Sequence, residues 1–167
     1  MSDAVNVCRL GRVIALLAVL ICSGCSSFEK QWKEAGRTPP QNAFSGRWEG
    51  RWTSASHRTP SGKPMGGELR CLFTPQDETH YRALFKAQWL VFSSSYATIF
   101  NVSRRGEELH FEGTQDLGAL YGGIYRYAGK VNAKRFEATY DSSYDRGTFR
   151  MKRPGTSPAS LPPRRGD

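Results

Sequence analysis

Between about residues 45 and 154 the chain alternates apolar and polar positions with a period of two. "RWEGRW" sets Trp48, Gly50 and Trp52 on one face and Arg47, Glu49 and Arg51 on the other. "ELRCLF" groups Leu69, Cys71 and Phe73, and "HYRALFKA" sets Tyr81, Ala83, Phe85 and Ala87 against His80, Arg82, Leu84 and Lys86. "YATIFNVS" is best read with Tyr96, Thr98, Phe100 and Val102 inside. The same rhythm continues through Leu109-Phe111-Gly113, Gly123-Tyr125-Tyr127-Gly129-Val131, Phe136-Ala138-Tyr140 and Gly147-Phe149-Met151, each triplet or quintet spaced by two. Period two is the mark of a half-buried strand. No long helical segment intervenes to carry a parallel crossover, so sequence neighbours should pair antiparallel. The pattern predicts an all-β domain over residues 45–153, a small antiparallel up-and-down barrel of about eight strands. Closure removes exposed strand edges; a two-sheet β-sandwich is the alternative. Residues 54–65, which include His57, and 114–120 read as irregular loops at the mouth.

The predicted inner face interleaves large rings with glycine and alanine. Such alternation fills a small barrel. It also suits a pocket, where small residues open space and tyrosine hydroxyls offer polar handles. On the second reading Trp48, Trp52, Tyr125 and Tyr127 are the candidate ligand-binding residues. Trp89-Leu90-Val91-Phe92 reads as an exposed apolar rim suited to lipid or partner contact.

Upstream the period changes. Phe28 and Trp32 are one helical turn apart, Ser26 and Glu29 have capping-box spacing, and Gly36 with Pro39-Pro40 stops the segment. A short helix is expected here, lying on a membrane surface or against the domain. Earlier still, Arg9 and Arg12 precede the apolar run 13–21 and the small residues Ser23-Gly24. That is the layout of a secretory signal. The run is too short for a stable bilayer span, which needs about 20 residues. Cys22 and Cys25 have redox spacing but lie at the end of this run, outside any βαβ context, and no second Cys/His pair offers a zinc site. Ser23-Gly24-Cys25 instead resembles the lipobox of bacterial lipoproteins, with Cys22 where leucine is usual. The resemblance implies an acylated (palmitate-bearing) Cys25 and a mature chain beginning there. Ser26 after it implies the outer membrane, facing the periplasm. The expected organisation is a signal peptide over 1–24, a lipidated N-terminus with helix and linker over 25–44, the barrel over 45–153 and a disordered Pro/Ser-rich tail over 154–167.

The order of "GRWEGRW", "FEGTQDLGALYGGIYRYAG" and "EATYDSSYDRGTFRMKRP" resembles a group of small bacterial lipoproteins. They share a GxWxGxW opening, an LGxxxGGxYxYxG middle and a YDxGTFxMxRP close. The resemblance implies architecture and address but no site residues. The GxW opening is also shared loosely with lipocalin-like barrels.

The chain carries a formal charge of +9, which admits nucleic acid, anionic lipid or a charged envelope polymer as partner. Export argues against nucleic acid, and the charges are scattered along strands, so a solvated face beside an anionic membrane is the simpler reading. After lipidation Cys71 stands alone, a small buried hydrophobe. The three histidines have no metal spacing. Asp141 and Asp145 flank a hairpin and are the one carboxylate pair placed for hydrolytic acid/base work, although aspartates favour turns for their own sake. No cofactor is implied. The expected function is non-enzymatic: a membrane-anchored lipoprotein with an envelope interaction or structural role. The alternatives are a module binding a small apolar or lipid-like ligand in the barrel mouth and, more distantly, a hydrolase using Asp141 and Asp145.

Overall fold

Each of the eight alternating segments is a strand in the computed structural model, which describes residues 28–119 and 122–155. The strands are β1 (Gly46–Arg58), β2 (Pro64–Pro75), β3 (His80–Trp89), β4 (Phe92–Arg105), β5 (Glu108–Asp116), β6 (Ile124–Val131), β7 (Arg135–Asp141) and β8 (Arg146–Lys152). Every strand pairs antiparallel with its sequence neighbours, and β1 pairs with β8 as well as β2. The sheet is therefore a closed barrel rather than a sandwich. The signal segment 1–24, Cys25, Ser26 and most of the tail lie outside the described residues.

Two expected loops are shorter than the sequence suggested. β1 continues through His57 to Arg58, leaving a connection of residues 59–63, and β5 continues to Asp116. Neither stretch alternates apolar and polar residues, so its strand residues carry no period-two signal. Between Thr53 and Arg58 the pairing with β2 slips by a bulge, and this reverses the parity of the side chains beyond it.

The inner face is the predicted one. Trp48, Phe73, Phe85, Phe100 and Phe136 are fully enclosed, with Cys71 and Leu69 between them. Phe73 and Phe136 meet edge to face at 5.5 Å between ring centroids, and Phe100 stacks on Phe111 at 4.8 Å. Burial pushes the Cys71 thiol pKa well up, so the residue is a filler rather than a nucleophile. One end of the barrel is sealed. There Trp48 donates its indole N–H to the Phe44 carbonyl at 2.9 Å, and Arg153 lies over its ring at 3.8 Å from the centroid. The same guanidinium donates to the main-chain carbonyls of Ala43, Ser45 and Arg47, which tie the two chain ends of the domain together.

Helix α1 (28–35) packs on the outer wall. Phe28 and Trp32 bury against Leu72 and Leu84, the two leucines that break the polar pattern outside. Ser26, the expected capping partner of Glu29, lies outside the described residues; the Glu29 carboxylate reaches the barrel wall. It accepts from Arg70 at 2.7 Å and Lys86 at 2.8 Å, and these two partners hold its pKa below the usual range. Arg70 also covers the Phe28 ring. Of the two expected positions for the helix, the domain surface is the one occupied.

The β3–β4 hairpin turns in two residues, Leu90-Val91, with Leu90 at φ 52°. This is the left-handed region, which a leucine occupies only under strain and which two-residue hairpins usually fill with Asn or Gly. Leu90→Asn should stabilise the domain by about 0.5–1 kcal/mol in urea unfolding, from relief of that strain. A loss would show that the exposed leucine packs on something in the folded protein.

Candidate functional site

The opposite end of the barrel is open. Its interior is a cavity of about 390 Å³, walled by Trp52 and Ser54 of β1, Ala87 and Trp89 of β3, Tyr96 of β4, Tyr125 and Tyr127 of β6, Tyr140 of β7 and Phe149 of β8. His57, Met65, Leu117, Tyr144 and Asp145 complete the rim. The barrel is thus filled at one end and hollow at the other. Hollows of about 590 and 510 Å³ also lie over the outer wall, but outward polar side chains such as Lys130, Glu112 and Arg126 line them, and they do not enter the barrel.

Of the four residues picked from the sequence, Trp52, Tyr125 and Tyr127 line the cavity. Trp48 does not. It shares their face but sits at the sealed end under Arg153, where it closes the barrel. Periodicity assigns a face, not a height along the strand, so it could not separate the two tryptophans. Trp52 leans across Gly67, its partner on β2, and donates to the Gln88 carbonyl at 3.2 Å. A Cβ on Gly67 would lie 2.8 Å from the indole nitrogen, so only glycine admits this reach.

Tyr127 forms the floor. Its hydroxyl is buried, closed off from water beside the Tyr96 phenol. Burial pushes its pKa up to about 12, and burial likewise raises that of Tyr96. Both phenols stay protonated at neutral pH.

Asp145 is the polar centre of the rim. It accepts from Ser54 Oγ at 2.7 Å and from Tyr140 OH at 2.8 Å, and His57 Nδ1 lies 3.3 Å away. Burial opposes its ionisation, but the bonds from Ser54, Tyr140, His57 and the Arg146 main chain outweigh it and hold the carboxyl below its usual range. The Tyr140 bond passes over Gly147, where a Cβ would stand 2.6 Å from the phenol oxygen. The folded pKa is depressed, so this stabilisation is complete above the unfolded value of about 3.9 and is lost as pH falls through the folded one. The stability difference between wild type and Asp145→Asn should therefore be flat above about pH 5 and shrink below about pH 4 in denaturant titrations. A difference that grows on acidification would reverse the assignment.

Ser54, His57 and Asp145 are the residue types of a hydrolytic triad, but their wiring differs. The serine proton goes to the carboxylate, and the serine oxygen accepts the His57 main-chain N–H at 2.8 Å. A nucleophilic serine needs the imidazole as its proton acceptor. Here the three groups fasten the β1 bulge to the β7–β8 turn. Asp141 points to the outer face and is exposed, so the strand wall separates it from Asp145. The two carboxylates do not share a site.

His57 carried no usable signal in the sequence, because the bulge inverts its parity. Asp145 and Tyr144 lie in a turn, where no period exists to read. The His57 and Tyr144 rings meet at 4.8 Å between centroids, tilted by 30°, and form one lip of the mouth. Comparison with family models, curated proteins and solved structures finds no match to this chain.

Proposed function

We propose that the protein is a ligand-binding module, taking a small, largely apolar molecule into the open end of the barrel. The observation that carries this reading is the mouth cavity itself, walled by aromatic rings. A volume of about 390 Å³ suits a compact small molecule. Support for a solely structural role would have come from a barrel filled along its whole length, and this one is filled only at the sealed end.

The rim supports the same reading. Among the described residues the exposed large apolar side chains are Trp89, Leu90, Val91, Phe92, Ile99, Ile124 and Tyr144, and all but Ile99 stand at the open end. An apolar collar around an apolar cavity lowers the barrier for a poorly soluble ligand to leave a membrane or carrier and enter. The signal-like segment and Cys25 give the proposed setting: a lipoprotein anchored in a bacterial envelope, with the barrel presented beside the bilayer. The lipocalin-like likeness of the GxW opening fits this role, since Gly46-Arg47-Trp48 with Arg153 seals one end and leaves the other for cargo.

Native mass spectrometry of the full chain recovered from the membranes of a bacterium that makes it tests both parts. The expected spectrum has the chain beginning at an acylated Cys25 and carrying one small molecule per barrel. A bare barrel overturns the binding role, and an unmodified Cys25 overturns the anchor.

A further inference from the structure

We propose that the mouth cavity selects a molecule bearing a quaternary ammonium group, held among the ring faces of Trp52, Tyr96, Tyr125 and Tyr144 close to the Asp145 carboxylate. This rests on the binding-module reading and adds the chemistry of the ligand. The chain has 24 lysines and arginines, yet none of the residues lining the cavity is one. The ionised group there is Asp145, whose hydrogen bonds favour its charged form. A carboxylate or phosphate ligand would meet a like charge among electron-rich rings, with no cation lining the cavity to receive it. A cation meets attraction from both, strengthened by the apolar surroundings.

The hydrogen bonds of Asp145 narrow the kind of cation. A carboxylate offers about four acceptor positions. Ser54 and His57 stand on one oxygen, Tyr140 on the other, and the Arg146 main chain also donates. The charge is fixed in place while its lone pairs are taken. A primary ammonium leaving water needs acceptors for three N–H groups, and the Asp145 carboxylate, already bonded on both oxygens, has little left to give them. A quaternary ammonium has no N–H to satisfy and needs only the field and the ring faces. Its apolar body would then extend over Phe149.

The test is calorimetric titration of the full chain with octyltrimethylammonium, octylammonium, 1-octanol and octanoate, each below its micelle-forming range. It is run at pH 8, above the ordinary histidine range. Octyltrimethylammonium should bind at least about tenfold more tightly than octanoate or octylammonium. Against a net charge of +9, nonspecific attraction would favour the anion, so the expected order is the opposite of the bulk effect. Asp145→Asn should bring the ratio of the cation to the neutral alcohol close to one. Because that change also loosens the turn, Tyr125→Leu is the second variant, and it should weaken the cation at least about fivefold more than the alcohol. Octanol or octanoate binding as tightly as the quaternary cation overturns the ligand class and leaves the cavity reading standing. Cation binding indifferent to both variants places the attraction elsewhere and also overturns it. Failure of all four probes to bind overturns the cavity reading itself.

Discussion

Trp48→Ala should destabilise the barrel by about 3–5 kcal/mol, the range for emptying a large aromatic site in a core. The upper part of that range is expected because three contacts fail together. The indole is fully enclosed and packs against Phe136 at 5.9 Å between centroids. Its N–H satisfies the Phe44 carbonyl. Its face also shields the half-buried Arg153 guanidinium, whose pKa burial already pulls down. Removing the ring leaves a void, an unpaired carbonyl and a cation without cover. Trp52→Ala is the matched control on the same strand face. Trp52 is half-buried at the edge of an existing cavity, so its loss should cost no more than about 1.5 kcal/mol. Urea unfolding of the two variants separates a sealing residue from a binding one. Equal losses would mean that the two ends of the barrel are wrongly assigned.

Ala87→Trp should abolish binding without unfolding the protein. Ala87 faces the cavity from β3, beside Phe85 but nearer the mouth. An indole grown from its Cβ would occupy the space that a ligand needs and would bury itself against Tyr96, Tyr127 and Phe149. Because the receiving volume is empty, the overpacking strain that enlarged core residues usually bring should be small. The affinity for a neutral probe such as 1-octanol should fall at least about 100-fold, or 2.7 kcal/mol, while the unfolding midpoint stays level or rises. A variant that still binds with unchanged affinity would place the ligand outside the barrel. Loss of binding together with a large loss of stability would mean the cavity is not free to receive a side chain.

Most of the fold is written in strict alternation, which survives because each strand buries one face and wets the other. The inner row of β3, Tyr81-Ala83-Phe85-Ala87, can be read directly from "HYRALFKA". Leu72 and Leu84 are the instructive exceptions. They look like errors in the outer pattern until α1 covers them with Phe28 and Trp32. The site was half legible. Trp52, Tyr125 and Tyr127 follow from periodicity alone. Trp48 shares their face but lies at the sealed end, and the rise along a barrel has no sequence signature. Ser54 and His57 were lost in a Ser- and Gly-rich stretch, and the bulge turned His57 inward against its parity. Asp145 was noticed as one of two carboxylates, but its partners Ser54 and Tyr140 come from 91 and 5 residues away, and only the closed sheet brings the first of them near.

The most direct measurement of the central claim, that small molecules enter the open end and not the sealed one, uses the four tryptophans as reporters. Fluorine NMR of the full chain labelled with 5-fluorotryptophan assigns one resonance to each ring through single Trp→Phe variants. Trp52 and Trp89 line the cavity, Trp48 lies at the sealed end and Trp32 lies on α1, against the outer wall. Titration with 1-octanol should move the Trp52 and Trp89 resonances with one shared saturation curve and leave Trp48 and Trp32 in place. Movement of Trp48 or Trp32 with Trp52 unmoved, or no saturable movement at all, would contradict the account.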